Sequence, residues 1–303
     1  IDVAEALYKK PMHASVSRFE SFNRCQFQHF SNYGLKLKVR QPYAIESLDT
    51  GVLIHDSLEM LYEEHDRMLS NIEGEHLEGV ITDIVDRAAK RISFDIFDRS
   101  VINQMIKKHT SERIFNVARF LKAMEPLSGY ETAEVELSFG MGDTRFPALK
   151  LTSKDDHEIN LRGKIDRVEM FTDDTLAYFN IIDYNSSGRG LNKQYVLIGV
   201  EMQLLTYMYY VLNHYKADAT LIPNSLLYYP VKKPRLSDSF NLMDEGSEQL
   251  VFKELRPDGL FVANSQLLED NDSLANMVKP NARLPEFMPF RLTKGDSTIH
   301  GSE

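Results

Sequence analysis

Two acidic residues, Asp166 and Asp183, lie in otherwise apolar or β-prone stretches of the run LRGKIDRVEMFTDDTLAYFNIIDYNSS, residues 161–187. Facing acids on neighbouring strands build a poor core, because a buried charge needs compensation. They can hold a divalent cation instead, since Mg²⁺ and similar ions prefer oxygen ligands. The pair therefore predicts a metal site, with Asn185 projecting on the same side of its strand as Asp183.

The residues around this pair have the pattern of a β-hairpin. Residues 161–171 and 176–184 form two strand-like runs, and the turn-prone sequence TDDT joins them. Side chains alternate faces along a strand, which places Phe179 and Ile181 on the same side as Asp183. The hairpin is therefore predicted to present Asp166 and Asp183 on neighbouring strands.

Helical patterns dominate the chain before the hairpin. The sequence SVSRFESFNRCQFQHF predicts an amphipathic helix with Ser15 as its N-cap. Its phenylalanines recur at helical spacing, which predicts a core-facing stripe of Phe19, Phe22, Phe27 and Phe30. A second helix is predicted to begin at Gly51 and to carry His55 in its first turn; a lone histidine on an apolar face is usually a hydrogen-bonded core residue. Residues 77–127 are helical in pattern.

The segment of residues 130–139 switches to a period of two, in which Glu134 and Glu136 alternate with Val135 and Leu137. The preferred interpretation is a strand whose glutamates face solvent. The alternative is that they line a site beside the hairpin.

After the hairpin, Asn192 is predicted to start one long helix, NKQYVLIGVEMQLLTYMYYVLNHYK. Gln203 and Tyr207 are four residues apart and lie side by side on its buried stripe. Residues 225–230 predict a further strand. These elements indicate the α/β class, a mixed central sheet flanked by helices with a mainly helical N-terminal third.

Composition limits the function classes. The chain has 303 residues, 43% of them hydrophobic, and one cysteine, which excludes an internal disulfide framework. We expect neither a membrane span nor a secretory leader, and a cytoplasmic location. The net charge of −10 argues mildly against a stand-alone nucleic-acid binder.

Because the chain starts at Ile1 and its end lacks a closing element, we expect one domain cut from a longer protein. Its predicted parts are a helical part carrying Cys25 and His55 (residues 1–127), a sheet core (128–231) and a peripheral lobe (232–303).

Four motifs follow one another: GVLIH (51–55), GKIDR (163–167), DYNS (183–186) and QLLTY (203–207). In this order they resemble the RecB-like branch of the PD-(D/E)xK nuclease superfamily, and within it the nuclease domain of the AddB/RexB subunit of bacterial AddAB/RexAB helicase-nucleases. The sequence SVSRFESFNRCQFQHFSNYGLKLK looks like the segment ahead of that family's Gly-x-x-x-His helix. The resemblance covers the chain from about residue 14 to the polar tail and implies a restriction-endonuclease-like fold.

The resemblance also implies roles for individual residues. His55, Asp166 and Asp183 match the positions that bind catalytic Mg²⁺ or Mn²⁺, with the backbone carbonyl of Tyr184 as a further ligand. In the family, the metal polarises the scissile phosphodiester and helps to generate hydroxide. Gln203 and Tyr207 match residues that support the site and contact DNA near the cleaved phosphate.

The implied function is metal-dependent exonuclease action on DNA double-strand ends for recombinational repair, in an ATP-driven complex with an AddA/RexA-type subunit. A second hypothesis is a catalytically silent nuclease fold that guides one DNA strand or braces the helicase. A third is an unrelated α/β scaffold in which the motifs are fortuitous.

Asn185 departs from the family, which has a lysine at this position. Losing one preorganised charged group at such a site typically costs about two or three orders of magnitude in rate. Three explanations are open: a deliberately introduced substitution, a natural loss of activity, or replacement of the cation by Lys164 or Lys193. Alternation places Lys164 on the same strand face as Asp166.

Cys25 is a partial match to a second family feature. AddB-type nuclease domains commonly carry a [4Fe-4S] cluster held by one upstream cysteine and three C-terminal ones, and Cys25 lies where the upstream one is expected. A single thiolate cannot hold such a cluster. Either further cysteines follow residue 303, or the cluster has been lost, or Cys25 is simply a small buried hydrophobic residue.

Overall fold

A computed structural model describes residues 3, 7–8, 10–38, 45–92, 95–142, 145–173, 175–186, 190–234, 247–261, 290–292 and 299–301. Within these ranges, seven strands form one mixed sheet: β1 Met12–Ser15, β2 Glu131–Phe139, β3 Leu149–Thr152, β4 Glu158–Asp173, β5 Leu176–Asn185, β6 Thr220–Pro230 and β7 Asp258–Phe261. Two further strands, β8 Phe290–Leu292 and β9 Ile299–Gly301, pair with each other in a separate sheet.

The long strand β4 is the centre of the seven-stranded sheet. Its first part pairs in parallel with β1 and antiparallel with β3, and its later part pairs antiparallel with β2 and β5. Strand β5 then pairs in parallel with β6, and β6 antiparallel with β7. The predicted hairpin of β4 and β5 is therefore confirmed, as is the mixed sheet flanked by helices.

Eight α-helices are described: α1 Val16–Arg24, α2 Gln26–His29, α3 Ser47–Glu63, α4 Leu77–Arg91, α5 Val101–Ser128, α6 Lys193–Leu197, α7 Gln203–His214 and α8 Ser247–Glu254. A π-helical turn, Phe30–Gly34, follows α2, and 3₁₀ turns occupy Leu69–Asn71 and Ile96–Asp98. None of these helices is long and apolar enough to cross a membrane.

Alternation along β5 divides the core into two clusters. Tyr178, Ile182 and Tyr184 pack with helices α3, α4 and α5, whereas Phe179 and Ile181 pack with helix α7. The sheet therefore separates a helical layer that carries His55 from a layer that carries Gln203 and Tyr207. This arrangement confirms the predicted placement of Phe179 and Ile181 on one side of the strand.

The N-terminal helix differs from its prediction. Ser15 caps it as expected, accepting a hydrogen bond from the backbone N–H of Arg18, but the helix ends at Arg24 and resumes as α2. The phenylalanine stripe is wrong as a core element, since Phe27 is 76% and Phe22 43% exposed.

Helix boundaries and the C-terminal region also differ from expectation. Helix α3 begins at Ser47, so His55 lies in its interior, and the single helix predicted from Asn192 is divided into α6 and α7 at Gly199, whose φ is +72°. The segment expected to form a peripheral lobe contributes β7 to the central sheet and Phe252 to the main core. Residues 235–246, 262–289, 293–298 and 302–303 of that segment lie outside the described ranges.

Candidate active site

The candidate site lies where strands β4 and β5 separate. Their ladder ends at the pair Arg167 and Ile182, so the next facing positions are Asp166 and Asp183. Beyond this point β4 continues beside β2 and β5 continues beside β6. Because the strands diverge here, the two carboxylates stand at the mouth of a fork.

Asp166 is buried and is held from two sides. Its Oδ1 lies 3.3 Å from Nδ1 of His55 on helix α3, and its Oδ2 accepts a hydrogen bond of 2.7 Å from the backbone N–H of Tyr184 on β5. A carboxylate fixed in this way keeps one oxygen directed at the histidine. His55 is thus in contact with Asp166 at the candidate site and is not the isolated core histidine that its pattern alone favoured.

Glu136 on strand β2 completes the cluster. Its Oε1 lies 3.6 Å from Nδ1 of His55. Within the described part of the chain, His55, Glu136 and Asp166 offer ligand atoms that all lie within 4.8 Å of one another. The preferred prediction that Glu134 and Glu136 face solvent is therefore wrong, since both are buried, and Glu136 lines the candidate site.

The backbone explains why alternation failed for Glu136. Its φ is +51°, a left-handed value inside a strand, and Val135 and Leu137 on either side of it pack into different core clusters. This conformation turns the side chain of Glu136 inward. Such backbone strain is often found at functional sites.

Lys164 brings a positive charge to the same place. Its Nζ lies 2.6 Å from Oε2 of Glu136 and 3.7 Å from Oε2 of Glu59 on helix α3. Lys164 therefore lies beside Glu136, which belongs to the same cluster as His55 and Asp166. Lys193, the other lysine considered, is exposed at the start of helix α6.

Asp183 is held by helix α7. The side-chain amide of Gln203 donates a 2.5 Å hydrogen bond from Nε2 to Oδ1 of Asp183. An open cavity of about 290 Å³ adjoins this pair, and its lining includes Asn185, Ser186, Glu201 and Tyr228. Asp183 and Asn185 therefore face one accessible space.

Tyr207 lies one turn beyond Gln203, buried beside the strand fork. Its ring packs edge-on against Phe139 at a centroid distance of 6.0 Å. A Cβ on Gly163 would come within 2.7 Å of the Phe139 ring and 2.8 Å of the Tyr207 ring. The glycine of the GKIDR motif thus allows β4 and α7 to approach closely.

The pKa values of the site residues are shifted because buried carboxylates lie close together. Burial lowers the pKa of His55, but the charges of Asp166 and Glu136 outweigh it and raise that pKa to about 11. Burial raises the pKa of Asp166, and burial together with the charge of Asp166 raises the pKa of Asp183 well above its ordinary value. Burial and both aspartates also raise the pKa of Tyr207, which keeps its hydroxyl protonated.

This donor set fits a divalent metal ion. The set consists of one imidazole and several carboxylates, whose charged forms are disfavoured by burial. Such a set suits Mg²⁺ or Mn²⁺, because the ion would compensate the negative charge. His55, Asp166 and Glu136 come from a helix and two strands, so the fold preorganises them.

Tyr184 and Cys25 occupy different settings. The ring of Tyr184 is buried on the side of Arg167, and only its backbone reaches Asp166. Cys25 is exposed, and its Sγ accepts a 3.4 Å hydrogen bond from the backbone N–H of Gln28 at the start of α2. The interpretation of Cys25 as a buried hydrophobic residue is therefore wrong.

A family model for the PD-(D/E)XK nuclease superfamily matches residues 13–287 of the chain. The chain belongs to this superfamily. The mixed sheet between helices is consistent with the restriction-endonuclease-like fold of PD-(D/E)XK nucleases, and the resemblance carried by the four motifs is confirmed.

Several curated relatives of this PD-(D/E)XK chain are each named as the B subunit of an ATP-dependent helicase/deoxyribonuclease. The one from Oceanobacillus iheyensis is 30% identical over 90% of this chain and 24% of its own length. The one from Enterococcus faecalis is 32% identical over 89% of this chain and 23% of its own length. A third, from Thermoanaerobacter pseudethanolicus, is 29% identical over 89% of this chain and 24% of its own length. The chain thus spans about a quarter of the length of these relatives.

Proposed function

We propose that this chain is a nuclease domain that hydrolyses phosphodiester bonds of DNA with the help of a divalent metal ion. The observation that carries the proposal is the cluster of His55, Glu136 and Asp166, whose ligand atoms lie within 4.8 Å of one another. Asp183 is close enough for the charge of Asp166 to raise its pKa. Membership of the PD-(D/E)XK superfamily supports the nuclease class, and the names of the relatives support DNA as the substrate.

In this proposal, Mg²⁺ or Mn²⁺ is held by His55, Asp166 and Asp183, with the backbone carbonyl of Tyr184 as a further ligand. Glu136 adds a carboxylate that the sequence motifs do not include. When bound, the ion polarises the scissile phosphate and acidifies the attacking water.

The surrounding residues orient these groups. The amide of Gln203 holds Asp183, and the backbone N–H of Tyr184 holds Asp166. The Tyr207 hydroxyl is hydrogen-bonded to the backbone of Lys164, and its raised pKa keeps it protonated. We assign Gln203 and Tyr207 to contacts with DNA near the cleaved phosphate.

Asn185 lowers the rate of this site. Its neutral amide cannot stabilise developing negative charge as an ammonium group does, and the loss of one such group typically costs about two or three orders of magnitude. Lys164 lies beside Glu136 and supplies part of the missing positive charge.

The names of the relatives suggest the complex and the process in which this domain acts. We propose that the domain processes DNA double-strand ends as an exonuclease for recombinational repair, in a cytoplasmic ATP-driven complex with an AddA/RexA-type helicase-nuclease subunit. The names of the relatives, which describe them as part of an ATP-dependent helicase/deoxyribonuclease, support this setting.

Asn185 also favours a second candidate function, a silent nuclease fold that guides a DNA strand or braces the helicase. This candidate predicts DNA binding that survives removal of the metal, without turnover. It shares the fold with the first and differs from it only in chemistry.

The decisive experiment incubates the purified chain with linear single-stranded DNA and Mg²⁺ or Mn²⁺. We expect slow cleavage that EDTA abolishes, no cleavage by Asp166→Ala or Asp183→Ala, and a rate about 100-fold higher for Asn185→Lys. If neither the unsubstituted chain nor Asn185→Lys cleaves DNA while both bind metal, the silent fold is correct. If both aspartate variants bind metal as well as the unsubstituted chain does, the assigned site is wrong.

A further inference from the structure

Helix α1 forms three hydrogen bonds with the backbone of residues 199–203, the segment that leads into helix α7. Oε1 of Glu20 accepts hydrogen bonds from the backbone N–H groups of Met202, at 2.7 Å, and Gln203, at 3.1 Å. Nδ2 of Asn23 donates a 2.7 Å hydrogen bond to the carbonyl oxygen of Gly199. Glu20 and Asn23 are three residues apart and share one face of α1. A single helical face thus holds both ends of this short segment.

Helix α7 needs an external cap. The first N–H groups of any helix have no partner within the helix, and the side chain of Met202, its N-cap residue, makes no capping hydrogen bond. Glu20 fills this role from 182 residues earlier in the chain, and its negative charge lies at the positive end of the helix dipole. The start of α7 is therefore fixed by tertiary structure and not by its own sequence.

The contact between α1 and this segment is close. Gly199 has a φ of +72°, and a Cβ at this position would collide with Nδ2 of Asn23. A side chain here would displace the Asn23 amide and break its hydrogen bond to the Gly199 carbonyl oxygen. The glycine that divides α6 from α7 thus also allows the hydrogen bonds between α1 and this segment.

Gln203 connects the hydrogen bonds from α1 to the candidate active site. Its backbone N–H is held by Glu20, and its side-chain Nε2 donates a 2.5 Å hydrogen bond to Oδ1 of Asp183. The position of its backbone sets where its amide can reach. A displacement at Glu20 is therefore transmitted to the Asp183 carboxylate through one residue.

We propose that Glu20 is a positioning residue of the nuclease site: by holding the backbone of Gln203 from helix α1, it fixes the side-chain amide of Gln203 on Asp183. This proposal rests on the proposed function in so far as Asp183 binds metal. Glu20 touches neither substrate nor metal in it. Its charge also contributes to the raised pKa of Asp183, whereas the positioning effect proposed here runs through Gln203.

Glu125 provides a matched control. This glutamate, on helix α5, also accepts hydrogen bonds from two consecutive backbone N–H groups, those of Leu69 at 3.1 Å and Ser70 at 2.8 Å. It performs the same capping chemistry on a 3₁₀ turn in the helical part of the chain. Losing either glutamate removes two backbone hydrogen bonds, but only Glu20 has Gln203 as a partner.

The test compares Glu20→Ala, Glu20→Gln and Glu125→Ala by titration with Mn²⁺ and by cleavage of linear single-stranded DNA with Mg²⁺. We expect Glu20→Ala to weaken Mn²⁺ binding and slow cleavage about tenfold, the scale of residues that orient metal ligands. Glu20→Gln keeps an acceptor oxygen and should retain both within about threefold. Glu125→Ala should match the unsubstituted chain in both measurements, and an equal loss in this control would overturn the proposal.

A double variant separates positioning from general stability. If Glu20 acts through Gln203, Glu20→Ala combined with Gln203→Ala binds Mn²⁺ no more weakly than Gln203→Ala alone, whereas independent effects multiply. Multiplying losses would show that Glu20 does not act through Gln203. Should Glu20→Ala fail to fold, Glu20→Asp takes its place, because it keeps the charge but withdraws the carboxylate by one methylene.

A spectroscopic measurement keeps this proposal independent of catalysis. The side-chain amide signals of Gln203 in an NMR spectrum, assigned through Gln203→Ala, should move in Glu20→Ala towards those of a solvent-exposed amide and stay in place in Glu125→Ala. If the unsubstituted chain neither binds Mn²⁺ nor cleaves DNA, the proposed function fails while these signals still test Glu20. Unmoved Gln203 signals in Glu20→Ala would refute the positioning role.

Discussion

Nζ of Lys164 lies 2.6 Å from Oε2 of Glu136, while Oε1 of the same carboxylate lies 3.6 Å from Nδ1 of His55. Burial lowers the pKa of Lys164, but the charges of Glu136 and its neighbours outweigh it and raise that pKa, so the side chain stays charged. The fork of the hairpin therefore contains a cation even though Asn185 is neutral.

The first prediction is that Lys164 supports cleavage. Lys164→Ala should slow Mg²⁺-dependent cleavage of single-stranded DNA by about tenfold to 100-fold, because a charged group next to the developing charge is lost. Lys164→Arg should retain a larger fraction of the rate. Initial rates measured under single-turnover conditions give the comparison.

Lys193→Ala is the matched comparison, since Lys193 is the other lysine that the sequence offers as a source of charge. It lies exposed at the start of helix α6, and its loss should leave the rate within about twofold. A slow Lys193→Ala beside an unchanged Lys164→Ala would reverse the conclusion and assign the supporting charge to Lys193.

The second prediction concerns Glu136. Glu136→Gln keeps the shape of the side chain but removes a negative charge from the cluster with His55 and Asp166, so Mn²⁺ should bind about tenfold or more weakly. Titration calorimetry measures this change directly. Glu134→Gln serves as control, because Glu134 is also buried on strand β2 but contacts Arg67 and Tyr215 at 3.4 Å each. Equal weakening by both variants would mean that only net charge matters.

The hairpin at the centre of the site could be predicted because its information is local. Two strand-like runs joined by a short turn determine the register. Asp166 and Asp183 are the next positions beyond its last pair, Arg167 and Ile182. The order of the four motifs then predicted that His55 and Gln203 belong to the same site. In the structure, His55 contacts Asp166 and Gln203 contacts Asp183.

The role of Glu136 could not be predicted from the sequence. Strict alternation predicts that Glu134 and Glu136 share a solvated face, but the left-handed backbone at Glu136 breaks the alternation. A non-glycine residue carries no sequence signal for such a conformation. Gly199 is different, because a glycine inside a helical pattern is a visible sign of a break in the helix from Asn192.

The third prediction is that metal affinity rises with pH. The pKa of His55 is raised to about 11, so near neutral pH its imidazole is protonated, and it must lose that proton to bind a metal. The raised pKa values of Asp166 and Asp183 act in the same direction. Mn²⁺ binding should therefore tighten between about pH 6 and pH 8, by up to about tenfold per pH unit for each proton released.

Calorimetry in buffers of different ionisation enthalpy counts the protons released on binding. His55→Ala should release fewer protons and show a shallower pH dependence, whereas His109→Ala, which removes an exposed histidine paired with Glu112, should behave like the unsubstituted chain. An affinity that does not vary with pH would exclude His55 as a protonated ligand.

The fourth prediction concerns the buried pair behind the site. Arg167, 1% exposed, lies with Nη2 2.8 Å from Oε1 of Glu169, and its guanidinium packs on the ring of Tyr62 at 4.8 Å. Arg167→Met leaves the Glu169 carboxylate buried without its partner, which should reduce the free energy of unfolding by about 3–5 kcal/mol. Urea denaturation measures this loss.

Replacing both members of the pair distinguishes this cause from a packing defect. The double variant Arg167→Met with Glu169→Leu removes the uncompensated charge and should recover much of the lost stability.

Burial already raises the pKa of Glu169, and removal of Arg167 raises it further, so Glu169 takes up a proton in the single variant as pH falls. A carboxyl group whose pKa is higher in the folded protein than in the unfolded chain destabilises the fold once the pH rises above the pKa that it has in the unfolded chain. The deficit of Arg167→Met should therefore be larger near pH 8 than near pH 5, whereas a deficit caused by lost packing would be independent of pH.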